Sequence, residues 1–140
     1  MYQRFFNLKF QIFLYEINFL ISFGKKGVDE KVFVTGSRDD CVKIWDFPNW
    51  IEIPTCRHTI KAHSNSVYAI NCLQGKYVIS GSYDRKIAIS LIETGKVIQV
   101  IDNLGSTIRC ILPIGDNAFL CGRGRHCSDL VEPREPLREE

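Results

Sequence analysis

Short apolar runs interrupted by glycine-and-serine turns recur along the middle of the chain, and they predict β-strands joined as hairpins. In Val32-Phe-Val-Thr-Gly36-Ser-Arg-Asp39-Asp-Cys-Val-Lys-Ile44-Trp45-Asp46, an apolar run leads through a hydroxyl residue into Gly-Ser-x-Asp and then into an alternating run. Tyr77-Val-Ile-Ser-Gly81-Ser-Tyr-Asp84-Arg-Lys-Ile-Ala-Ile89-Ser90-Leu91 keeps the same order. Alternation of period two marks a half-buried strand, and Gly, Ser and Asp supply turn chemistry between two such runs. Val, Ile, Phe, Tyr and Thr fill the runs, as a pleated packed surface prefers. Gly75-Lys76, Thr94-Gly-Lys96 and Gly115-Asp-Asn117 mark further strand ends.

The two segments are copies of one unit. A weaker third copy is Ala118-Phe-Leu-Cys-Gly122-Arg-Gly124, so that Gly36, Gly81 and Gly122 recur at nearly even spacing. Val67-Tyr-Ala-Ile70-Asn-Cys72-Leu and Ile108-Arg-Cys110-Ile-Leu112 each begin at the same distance ahead of their glycine, Gly81 and Gly122. A β-rich unit that repeats roughly every 40–45 residues fits one blade of a β-propeller.

With those residues in view, the chain resembles WD-repeat proteins. Ile44-Trp45-Asp46 contains the Trp-Asp pair that names the family, and Ala62-His63 stands ahead of Asp84 where Gly-His is usual. The resemblance covers about residues 18–123. It implies an all-β fold, an incomplete β-propeller of four-stranded antiparallel blades at about 18–61, 62–102 and 103–125. The first blade would use Leu20–Phe23, Lys31–Thr35, Val42–Trp45 and Cys56–Ile60, from inner to outer strand. The second would use Val67–Asn71, Tyr77–Ser80, Ile87–Leu91 and Val97–Ile101, with Ile108–Leu112 and Ala118–Cys121 starting a third. It also implies a hydrogen-bonded set of His, Ser or Thr, Asp and Trp in each repeat. The second repeat supplies His63, Ser80 and Asp84 but has Ser90 at the Trp position. The first supplies Thr35, Asp39 and Trp45 but no His, so both blades are expected to be less stable than a complete repeat.

Function follows from the same resemblance: a non-catalytic scaffold that binds other proteins or peptides on its rim. Rim positions are Arg38, Tyr83, Arg123, Ser64 and Ser66, with Trp50 in an enlarged loop after Trp45-Asp46. Arg and Tyr suit binding hot spots. Ser80, His63 and Asp84 also have the composition of a catalytic triad, but no nucleophile elbow or oxyanion donor pair accompanies them. No phosphate-cradling glycine loop is present, and no cofactor or metal is expected.

Composition narrows the picture. Hydrophobic residues are 45% and charged residues 24%, ordinary for a globular domain. A formal net charge of +2 gives no bulk attraction to nucleic acid. The six cysteines, at 41, 56, 72, 110, 121 and 127, form no Cys-x-x-Cys pair. Read as reduced small hydrophobes, they favour an intracellular, cytoplasmic protein. Cys121 with His126-Cys127 makes at most half a metal site.

The two ends depart from the repeat. Residues 1–17 form an atypical Phe-rich apolar segment, in which Phe6, Leu8, Phe10, Ile12 and Leu14 alternate with Asn7, Lys9, Gln11 and Phe13. Arg4, Lys9 and Glu16 interrupt any run long enough to span a bilayer, so anchorage through Met1–Phe23 is kept as the alternative. Residues 126–140 read as a polar disordered tail with two prolines. About 4–8 blades close a propeller, so the chain is expected to be a fragment of a longer propeller protein. Failing that, it closes only by self-association or with a completing chain.

Overall fold

A computed structural model describes residues 17–24, 31–47, 53–102, 104–123 and 126–131. Among these residues the chain forms eleven strands and no helix. They are β1 (Ile17–Gly24), β2 (Lys31–Ser37), β3 (Val42–Phe47), β4 (Thr55–Ile60), β5 (Val67–Leu73) and β6 (Tyr77–Ser82), followed by β7 (Ile87–Leu91), β8 (Val97–Ile101), β9 (Ile108–Ile114), β10 (Ala118–Arg123) and β11 (His126–Val131). Each sheet is an antiparallel meander in sequence order: β1-β2-β3-β4, then β5-β6-β7-β8, then β9-β10-β11. The first strands of neighbouring sheets approach one another. This is the incomplete β-propeller that the repeat implied, with β1, β5 and β9 on the inside.

The turns explain the motif. Ser37 Oγ accepts from Asp39 N–H at 3.2 Å, and Asp39 Oδ1 accepts from Cys41 N–H at 3.0 Å. The second hairpin repeats this with Ser82, Asp84 and Lys86, at 3.0 and 2.9 Å. In both, the residue after Asp has a left-handed backbone, φ 67° at Asp40 and 68° at Arg85. The carboxylate spans that residue and satisfies the N–H beyond it, which offsets the cost of a side chain there.

The recurrent glycine answers to packing between sheets. A Cβ on Gly36 would lie 2.7 Å from both Val67 Cγ1 and Ile70 Cδ1 of the next sheet. One on Gly81 would collide with Ile108 and stand 3.1 Å from Ile111 Cδ1. Each glycine thus leaves room for a branched pair, three residues apart, on the following inner strand.

Two apolar layers result. Val32, Val34, Val42, Ile44 and Ile60 of the first sheet pack on Val67, Ile70, Val78 and Ile92. The opposite face of the second sheet, with Ala69, Leu73, Tyr77, Ile79, Ile87 and Ile89, packs on Ile108, Ile111, Phe119 and Cys121. Covered on both sides, β6 is buried at every position. Each large apolar side chain enclosed this way contributes about 1.5–3 kcal/mol. Polar ties join the second and third sheets: Asn71 Nδ2 donates to Ile111 O at 3.0 Å and Gln74 Nε2 to Asp116 O at 2.6 Å. His58 Nε2 donates to Glu93 O at 2.9 Å between the first and second.

Two boundaries differ from the sequence reading. Ile17, assigned to the atypical N-terminal segment, is the first residue of β1 and pairs with Ser37. The expected disordered tail begins instead with a strand: His126–Val131 pairs along β10, placing Leu130 opposite Leu120 and Ser128 opposite Gly122. An open strand edge recruits backbone N–H and C=O groups whatever the side-chain pattern, and that pattern was the sequence criterion. Residues 1–16 and 132–140 lie outside the described residues. Among the described residues no helix is long and apolar enough to cross a membrane.

Candidate functional site

The polar set of the second repeat sits between turn and sheet. His63 precedes β5, Ser80 lies on β6, and Asp84 occupies the β6–β7 turn. His63 Nδ1 is 3.0 Å from Asp84 Oδ2, and His63 Nε2 is 2.8 Å from Ser80 Oγ. The carboxylate accepts from Nδ1–H, which leaves Nε2 to accept from the serine hydroxyl; the network assigns this tautomer. Ser64 N–H also donates to Asp84 Oδ2, at 3.1 Å. Burial pushes the His63 pKa below its ordinary value, against the opposing pull of Asp84. Ser80 is 1% exposed, and its Oγ also lies 3.4 Å from Ala88 O. A nucleophile needs a space for substrate beside it, and this hydroxyl faces backbone.

The first repeat builds the complementary half. Trp45 Nε1 donates to Thr35 Oγ1 at 3.0 Å within the sheet, and its ring stacks on Phe33 at 5.9 Å. Asp39 has no histidine across from it and pairs with Lys43 at 3.1 Å. Burial raises its pKa, but the Cys41 N–H and Lys43 outweigh that and hold the carboxyl below its usual range. The two sets stay separate, one in each sheet.

A groove of about 540 Å³ opens on the rim between the second and third sheets. The loop before β5 contributes Ser64 and Asn65, and the β6–β7 turn contributes Tyr83, Asp84 and Arg85. Gly105, Ser106 and Thr107, before β9, form the other wall. Tyr83 is 50% exposed. Its ring meets Tyr68 edge-on at 6.1 Å, and Arg109 Cζ stands 5.8 Å above the Tyr68 ring. Tyr68 and Arg109 are each the residue passed over where register shifts, in β5 and β9. Such a bulge re-aims one side chain out of the alternation.

Of the rim residues read from sequence, the groove therefore brings together Ser64 and Tyr83. Ser66 lies next to it, its carbonyl accepting from Tyr83 N–H at 3.0 Å. Arg38 is exposed on the first hairpin, away from the groove. Arg123 ends β10, with its side chain outside the described residues, and Trp50 is outside them altogether. Asn65, Arg85, Ser106, Thr107, Tyr68 and Arg109 were missed. A signal existed: Ser64-Asn-Ser66 and Gly105-Ser-Thr107 precede their inner strands by equal distances.

Thiol chemistry is muted at Cys72 and Cys41. Burial pushes the Cys72 thiol up to about 12, and burial with the neighbouring Asp39 raises that of Cys41. Among the described residues no three metal-ligating side chains come together.

Comparison with known proteins agrees with this architecture. The family "WD domain, G-beta repeat" matches residues 27–46 and 54–89. Nuclear distribution protein nudF of Aspergillus niger is 34% identical over 110 residues, which are 77% of this chain and 24% of that protein. Mitochondrial division protein 1 of Saccharomyces cerevisiae is 33% identical over 90 residues, 53% of this chain and 12% of that protein. WD repeat-containing protein pop2 of Schizosaccharomyces pombe is 31% identical over 84 residues, 49% of this chain and 12% of that protein. The chain thus spans about a quarter or less of the length of these relatives. A crystal structure of the computationally designed Ika4 protein superposes with TM-score 0.63 at 20% identity, covering 79% of this chain and 63% of the other, a likeness of fold alone. Residues 27–46 and 54–89 match the WD repeat, and the chain, folded as part of a β-propeller, resembles the WD-repeat proteins.

Proposed function

We propose that this chain is a non-catalytic protein-interaction scaffold whose rim groove, between the second and third sheets, holds a peptide segment of another protein. The groove carries the reading. It combines an exposed aromatic ring at Tyr83, the cation Arg85 and loop hydroxyls at Ser64, Ser106 and Thr107, and Arg109 stands beside it over the Tyr68 ring that meets Tyr83. Rigid sheets hold these loops, and aromatic and Arg side chains on such loops dominate binding energy. WD repeats, and relatives that carry them, support the scaffold role. The His63–Ser80–Asp84 set would then serve structure, fixing the turn that presents Tyr83. Cys41, Cys56, Cys72 and Cys110 are free thiols, which supports an intracellular, cytoplasmic setting. The short span against the relatives supports a chain that is part of a longer propeller.

Affinity capture from native cells with wild type, Tyr83→Ala and Arg109→Glu tests this. Partners captured by wild type are expected to fall at least about tenfold with either variant, as loss of a hot-spot side chain implies. Thermal unfolding should shift little, because both residues are exposed. An unchanged partner set with both variants would contradict the groove as the binding site.

A further inference from the structure

We propose that the segment held in the rim groove is acidic, an Asp or Glu carboxylate of the partner being taken by the Arg85 guanidinium together with the loop hydroxyls. The proposal rests on the groove being the binding site and names the chemistry of what enters it.

The sign of the groove depends on which of its ionised groups are already satisfied. Asp84 supplies the carboxylate among the lining residues, and it is turned inward, with its side chain 4% exposed. His63 Nδ1–H and Ser64 N–H donate to one of its oxygens at 3.0 and 3.1 Å, and Lys86 N–H donates to the other at 2.9 Å. A carboxylate that accepts three N–H groups in the interior offers little to a ligand.

Arg85 is placed differently. It is exposed in the β6–β7 turn, where its own N–H closes on Ser82 O at 3.2 Å. Backbone groups and the Ser82 and Asp84 side chains make the turn, so the fold makes no use of the guanidinium. Among the described residues Arg85 forms no ion pair. Arg109 adds an exposed cation beside the groove, over the Tyr68 ring, and its edge N–H groups remain for an anion.

Arg85 and Gly105 also border a second hollow of about 410 Å³, whose wall includes Lys86 and Asp102. One cation and one carboxylate balance there, which leaves the positive excess at Arg85 and Arg109. Across the groove from Arg85, Ser106 and Thr107 add hydroxyl donors, and the half-exposed Tyr83 ring covers the stem of an entering side chain. A phosphate would bring about −1.5 to −2 charge to a groove lined by a single guanidinium, with Asp84 and Asp102 close by. A carboxylate, with one charge and two acceptor oxygens, matches that guanidinium.

Selection of binders to the full chain from a random peptide phage library gives the test. Peptides that need Tyr83 are expected to be rich in Asp and Glu. In fluorescence anisotropy, Arg85→Glu should weaken the best of them at least about tenfold, and Arg85→Lys should weaken it less. Added salt should weaken the wild-type complex. Selection on Arg85→Glu should turn toward Lys and Arg, a reversal that loss of fold would not produce. Neutral or basic peptides that need Tyr83 would overturn the inference and leave the groove as the binding site. Acidic peptides indifferent to Arg85 would overturn it too, and indifference to Tyr83 as well would count against the groove. A phosphoserine that binds about tenfold tighter than the acidic residue it replaces would assign the site to phosphate and overturn the carboxylate. Recovery of no peptide would also overturn it, while capture through Tyr83 in cells still decides the groove.

Discussion

The first and second hairpins have the same turn and different interiors. In both, serine and aspartate close the turn on backbone N–H groups around a left-handed residue. Asp39 then gives its second oxygen to Lys43, partly in solvent, whereas Asp84 gives its own to His63 and Ser64 N–H. The turn geometry is therefore self-sufficient, and histidine adds a tie from turn to sheet. The tryptophan tie belongs to the other hairpin, through Thr35. A repeat can lose either tie and keep its backbone course.

Substituting the two aspartates separates these roles. Asp84→Ala strands a buried imidazole N–H, the turn N–H of Lys86 and the loop N–H of Ser64, and should cost about 3 kcal/mol. Asp39→Ala removes one turn bond and a partly exposed ion pair, so about 1 kcal/mol is expected. Chemical denaturation of both variants checks this, and equal losses would mean that His63 contributes nothing beyond the turn.

A smaller difference should appear with pH. Because the folded His63 pKa lies below its ordinary 6.5, the unfolded chain binds the proton first. Its contribution is complete above about pH 6.5 and declines as pH falls toward the folded pKa. Denaturation midpoints of wild type should drop through that window, and His63→Gln should flatten the drop. A drop of the same depth in His63→Gln would assign it to other groups.

Much of this was legible in the sequence because the repeat is written in backbone chemistry. Gly-Ser-x-Asp specifies a turn, and the strands on either side alternate visibly, so the eight strands of the first two sheets lie close to their expected ranges. The partners of His63 and Trp45 were implied by the resemblance to WD repeats, carried over residue by residue. The groove was harder, since its walls come from loops of successive repeats, and the Tyr68–Arg109 pair beside it comes from bulges that no alternation announces. β11 was missed because His126–Val131 joins through an open edge, with little side-chain pattern of its own.

The repeat sheets stack so that the second is held between its neighbours and presents the rim. Native-state hydrogen exchange read by mass spectrometry tests this arrangement most directly. Slowest exchange is expected in Tyr77–Ser82 and Ile87–Leu91, whose residues face apolar layers on both sides, and fast exchange in the edge strand His126–Val131. Exchange in β6 and β7 as fast as in β11 would contradict it.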